Sequence, residues 1–154
     1  DMLSIAVAGP GQIQDAGAKM YHLAPNTTSR ILSKSLSKSG GQASYRGLVH
    51  ISKNARQGRA KITCDAMMIG EGARSDTFPH MEIERSDATV EHEATVERIG
   101  TERLFSLMAR GITEEDASGL LANGFVEPVS REIPLEYSIE LNRLIRYEMS
   151  KKVG

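Results

Sequence analysis

The sequence predicts a mainly β body followed by a small α-helical unit. Three observations carry that prediction. Between residues 3 and 99, short runs with period-2 or β-branched character recur at close spacing. The breaks between them are built from Gly, Ser, Asn and Pro, the residues that turn a chain. From residue 101 onward the apolar spacing lengthens to i, i+3, i+4, the period of a helix.

Seven runs make up the β body: "LSIAVAG" (3–9), "KMYHLA" (19–24), "TSRILSKSL" (28–36), "SYRGLVHIS" (44–52), "AKITCDAMMI" (60–69), "HMEIER" (80–85) and "ATVEHEATVERI" (88–99). They are separated by "GPG" (9–11), "APN" (24–26), "SGG" (39–41), "NARQG" (54–58), "GEGARSD" (70–76) and "RSDA" (85–88). Tight hairpin dipeptides such as Asn-Gly or Asp-Gly are absent from these breaks, and no helix lies between the runs to serve as a crossover. Two architectures satisfy that pattern, a β-sandwich and a parallel β-helix with its corners in the breaks. In the helical unit, Leu104, Phe105 and Met108 share a face and Gly111 suits a C-cap. Thr113 is an N-cap followed by acidic residues, and Asn123-Gly124 is expected to end that helix. "FVEPVSREIP" then reads as a connector, with Pro134 opening a last helix over "LEYSIELNRLIRYEMSKK", where Lys151 and Lys152 suit the C-terminal end. The expected division is 1–99 for the β coils and 100–154 for the helical domain.

Composition narrows the function. The 154 residues carry a net charge of −1, so no basic field exists to hold nucleic acid or an anionic membrane. No apolar run approaches the roughly 20 residues of a membrane helix. A single cysteine precludes an internal disulfide and fits a reducing compartment such as the cytoplasm. The opening "DMLSIAVAGPGQ" lacks a basic leader and reads as strand from the start, as expected of a piece of a longer chain. A truncated coil end would then be expected to self-associate. No GxxxxGK[ST], CxxC, HExxH, EF-hand or GxSxG spacing occurs.

The remaining chemistry sits in Cys64 and in Glu91, His92 and Glu93. A lone cysteine in a strand is ordinarily a small buried apolar residue, and a charged strand face is ordinarily solvated. In an extended strand Glu91 and Glu93 point to one side, about 7 Å apart, while Val90, His92 and Ala94 point to the other. Cys64 precedes them by about one coil of a β-helix, so stacking would bring it to a neighbouring strand at ~4.8 Å. A thiolate with a carboxylate or imidazole is a workable donor set for iron, but one cysteine is too few for a permanent iron–sulfur cluster. His80, Tyr45 and Arg46 read as structural, Met67 and Met68 as core, and Glu127, Arg131 and Glu132 as surface or interface charges.

"SYRGLVHI", "CDAMMIG", "SDTFPHMEI", "VEHEATVERI", "LFSLMARGITEEDA", "GFVEP" and "EIPLEYSIELNRLI" together, in this order and spacing, resemble the SufB/SufD family of SUF iron–sulfur cluster assembly proteins. Within it they are most similar to the C-terminal part of the SufB branch, and "AGPGQIQDAGAKMYHLAPNTTS" continues the likeness upstream. The resemblance implies a right-handed parallel β-helix, truncated at its N-terminal end, followed by a small helical domain. It implies an assembly scaffold rather than an enzyme, carrying a transient iron–sulfur cluster. Cys64 falls on the family's sulfur acceptor and cluster ligand. Glu93 becomes the leading iron-ligand candidate, with Glu91 and His92 in support, so that Cys64 and Glu93 would hold the metal. The SufD branch lacks the cysteine and the "EHE" pattern, which favours SufB. A further family cysteine, for sulfur entry, would lie upstream of this segment. The implied partners are a SufC-like ATPase on the C-terminal helices, a SufD-like subunit or second copy along the last β-helix coils, and a sulfur donor protein. ATP-driven closure of the ATPase would shift the helices and open the scaffold interface. The competing reading is a SufD-like structural module that docks the ATPase without holding a cluster. A β-helix glycosidase using Glu91 and Glu93 is disfavoured by seven aromatic residues and no Trp.

Overall fold

The computed structural model describes residues 1–150. Seven strands are followed by three helices: β1 (Met2–Ala8), β2 (Ile13–His22), β3 (Thr28–Lys38), β4 (Gln42–Ile51), β5 (Arg59–Ile69), β6 (Arg74–Ile83), β7 (Thr89–Ile99), α1 (Thr101–Met108), α2 (Glu114–Ser130) and α3 (Leu135–Ser150). Odd strands form one sheet in the order β1-β3-β5-β7, and even strands form a second in the order β2-β4-β6. All pairings are parallel. A chain that alternates between two parallel sheets in this way is a β-solenoid, which decides between the two architectures open to the sequence. Each coil hydrogen-bonds to the next at its corners as well as along its strands, as in Gln42 N–H to Gln12 O, Asn26 N–H to Arg56 O and Thr89 N–H to Gly58 O.

Alternation sorts the side chains. In β5, Ala60, Ile62, Cys64 and Ala66 point into the solenoid, and in β4 Ala43, Tyr45, Val49 and Ile51 face them from the other sheet. Of these, Ala60, Ile62, Cys64, Tyr45, Val49 and Ile51 form an interior cluster with Ala18 and Ile31. The inner wall of β3 is polar, with Ser33, Ser35 and Ser37 all buried. Hydroxyls are small enough for the narrow interior, but they leave polar atoms to be satisfied there, and Ser37 Oγ has no partner among the described residues.

The outer face of the four-stranded sheet is apolar at its C-terminal end. There Leu36, Met67, Ile69 and Ile99 are covered by Leu104, Ala117, Ala122, Val126, Ile145 and Met149 of the helices. Met67 and Met68 are both buried, as expected of core. Thr113 caps α2, its side chain accepting a hydrogen bond from Asp116 N–H. α2 does not end at Asn123-Gly124. It continues through Phe125 and Pro128 to Ser130, because Val126 and Val129 are buried and outweigh the cost of glycine and of a late proline. The supposed connector is thus mostly helix. The expected role of Lys151 and Lys152 lies outside the described residues.

Gly124 is exposed in the interior of α2, with nothing within 4 Å of an added Cβ. Gly124→Ala is therefore expected to stabilise the chain by about 0.5–1 kcal/mol, seen as a raised thermal midpoint.

Candidate functional site

β5 and β7 are neighbours, and their register sets the site. Cys64 lies opposite Ala94, Thr63 opposite Glu93, Ile62 opposite His92 and Lys61 opposite Glu91. Cys64 and His92 therefore share the inner face of the sheet, while Glu91 and Glu93 share the outer face. The structure brings the thiol and the imidazole to one wall and puts the two carboxylates on the other side of it.

Cys64 is 3% exposed, packed in the interior cluster with Ser33 beside it on β3. Burial, reinforced by the neighbouring Asp65 carboxylate, pushes its thiol up to about 11. At neutral pH it is a protonated thiol, not a ready nucleophile. His92 is half-buried, and its Nε2 has no hydrogen-bond partner among the described residues. Tyr45, which strand pattern alone marks as a brace, is fully buried, its hydroxyl without a hydrogen-bond partner among the described residues. Burial, then the nearby Cys64, pushes that phenol up to about 12. The signal that could have found it is parity, since Tyr45 shares the inward set with Ala43 and Val49.

On the outer face, Lys61 Nζ lies 3.7 Å from Glu91 and 3.9 Å from Glu93, all three well exposed. A cation between the two carboxylates relieves their repulsion, at the modest strength of surface pairs. Among the described residues, no group of three or more His, Cys, Asp or Glu side chains is arranged to hold a metal ion. His80 lies within β6, where it and His50 both contact Glu82 at 3.0 Å; their hydrogen bonds hold that exposed carboxyl below its usual range. Glu127 pairs with Arg131, and Glu132 with Arg30.

The last coil is open. On β6 and β7, Phe78, Met81, Ile83 and Val96 are 39–61% exposed. Met81, Ile83 and Val96 lie opposite Val49, Ile51 and Ala66, so they are inward-set residues with no further coil over them. Cys64 sits one strand back from this open edge. On the helices, Leu120, Tyr137, Ile139, Leu144 and Tyr147 are also exposed. No described helix is long and apolar enough to cross a membrane.

Fold and site together define a β-solenoid with a helical unit on one outer face and a guarded interior thiol beside an open coil. The chain belongs to the SufBD core family: residues 1–125 match the family described as "SUF system FeS cluster assembly, SufBD core domain". It is 51% identical over 152 residues to the iron–sulfur cluster assembly protein SufB of Bacillus subtilis, covering 99% of this chain and 33% of that protein. It is 50% identical over 152 residues to an iron–sulfur cluster assembly SufBD family protein of Staphylococcus aureus, again 99% of this chain and 33% of the relative. A SufBD family protein of Mycobacterium tuberculosis is 50% identical over all 154 residues, which make up 18% of its length. The chain thus spans a third or less of the curated relatives it matches.

Proposed function

We propose that this chain supplies the part of a SUF scaffold on which a nascent iron–sulfur cluster is held, with Cys64 as sulfur acceptor and cluster ligand. The observation that carries the reading is a lone, shielded thiol facing the solenoid interior one strand from an exposed apolar coil. A thiol needed only for packing requires no such neighbour. A thiol that must meet sulfur and iron on cue is best kept protonated and covered until that edge moves. His92 is the second interior donor. Glu91 and Glu93 are iron-ligand candidates on the outer face, where Lys61 stands in the position a divalent ion would take between them. For Glu93 to join Cys64 on one cluster, β7 has to turn at the edge or a second subunit has to complete the site. A scaffold of this kind is not a turnover enzyme, and its cluster is cargo.

The partners follow from the exposed apolar surfaces. The open coil of β6 and β7 suits a SufD-like subunit or a second copy, and the outer faces of α2 and α3 suit a SufC-like ATPase that provides the nucleotide chemistry. A sulfur donor protein would load Cys64, in the cytoplasm. The second reading, a SufD-like docking module with Cys64 merely packed, draws on the thiol's burial.

Anaerobic reconstitution with iron and sulfide, in the complex with both partners, separates the two. Wild type is expected to gain the visible absorption of a cluster, Cys64→Ser to lose it, and His92→Ala and Glu93→Ala to weaken it. Wild-type absorption from Cys64→Ser would end the scaffold reading and leave the docking module.

A further inference from the structure

The outer face of β3 carries three cations at four-residue intervals, and each reaches a different part of the helical unit. Arg30 pairs with Glu132 in the link between α2 and α3. Lys34 lies under Phe125 of α2, with Nζ 4.7 Å from the ring centroid. Lys38 donates to the Met149 carbonyl near the end of α3. Leu32 and Leu36 alternate with them on the same face, and Leu36 is wholly covered. The helical unit is thus seated on β3 by a row of polar clasps as well as by apolar packing.

Lys34 differs from the other two. It is 8% exposed, and its ammonium also pairs with Asp65 on β5 at 2.6 Å. Asp65 is the residue next to Cys64. The pair is flanked by Ile5 on β1 and Thr95 on β7, neither of which is charged. On the opposite side of β5, Tyr45 packs in the same interior cluster as Cys64, and His92 lies on that inner wall opposite Ile62. An ammonium and a carboxylate attract more strongly the less water reaches them, and here the Phe125 ring covers the ammonium. Consecutive residues of a strand share a peptide plane, so a rotation of β5 at Asp65 carries Cys64 with it.

We propose that Lys34 is a positioning residue for Cys64, clamping β5 closed while α2 is seated and releasing it when α2 lifts. The proposal rests on the reading of Cys64 as the working thiol. It gives that reading a joint: movement of the helices reaches the thiol through Phe125, Lys34 and Asp65, a path of three side chains.

Because Cys64 is the only cysteine, maleimide labelling of the full chain reports on that residue alone, and repeating it across a pH series separates exposure from thiol ionisation. Lys34→Met and Phe125→Leu are each expected to speed labelling about fivefold or more, by favouring local opening. The double variant is expected to match the faster single, since both act on one joint, and Lys34→Arg to stay within about twofold of wild type. A thermal melt accompanies each rate. Ile51→Val, which loosens the interior core, serves as the comparison for general destabilisation. The proposal is overturned if Phe125→Leu labels at the wild-type rate. It also fails if the single effects multiply in the double, or if Ile51→Val speeds labelling equally for an equal loss of thermal midpoint. Should Lys34→Met not fold, Phe125→Leu and Lys34→Arg carry the test. Labelling uses neither iron nor sulfide, so a failed reconstitution and a failed coupling are separate results.

Discussion

An alanine at Gly41 is expected to destabilise the solenoid by roughly 3–5 kcal/mol, lowering the thermal midpoint by about 10 °C or more. Gly41 sits at the corner between β3 and β4, directly against the corner of the preceding coil. A Cβ there would lie 2.3 Å from the Ala8 carbonyl oxygen and 2.6 Å from that of Gly9. Both obstacles are backbone, so no side-chain rotation relieves the clash. The two coils would have to separate, and the corner bond between them, Gln42 N–H to Gln12 O at 2.9 Å, would go with them. The residue just before it provides the comparison. Gly40 has φ +82° but nothing within 4 Å of an added Cβ. Gly40→Ala therefore costs only the left-handed conformation, about 1 kcal/mol. Thermal or urea melts of the two variants read the difference, and equal losses would show that coil contact is not what requires glycine at 41.

Val126→Asp is expected to detach the helical unit from the β body. Val126 is fully buried in the cluster that joins α2 to Leu36, Met67 and Ile69. A carboxylate there has no ion-pair partner in that cluster, and an uncompensated buried charge costs roughly 3–5 kcal/mol. The helices escape the cost by lifting, because their seat is one apolar face plus the clasps from Arg30, Lys34 and Lys38. The expected signature is a melt split into two transitions, binding of a hydrophobic dye below the first of them, and loss of amide protection in α2 ahead of β3 and β5. Leu120→Asp, on the half-exposed side of the same helix, is expected to change stability by no more than about 0.5 kcal/mol. A single cooperative melt for Val126→Asp at the wild-type midpoint would contradict this account of the junction.

Much of the architecture was legible in the residues. Period-2 runs marked seven strands, and all seven exist, although β2 and β6 begin earlier than "KMYHLA" and "HMEIER" indicate. In β6 the apolar signal is weak because the open coil leaves its inward residues uncovered. Thr113 was recognisable as a cap because its chemistry is local. The end of α2 was not, because burial of Val126 and Val129 against strands far away in sequence prevailed over Gly124 and Pro128.

By itself the sequence determined that Glu91 and Glu93 share one face of their strand and His92 the other, since alternation is a property of any extended chain. It also brought Cys64 within one coil of them. Which of those faces Cys64 shares was settled only by the tertiary structure. Corner lengths set the stacking register at Cys64 against Ala94. A coil one residue shorter would have put Glu93 beside the thiol, since a one-residue slip exchanges the two faces of a strand. The same holds for Lys34, which is an ordinary lysine in a strand until β5 stacks beside it and α2 folds over it. Its role exists only where three distant segments meet.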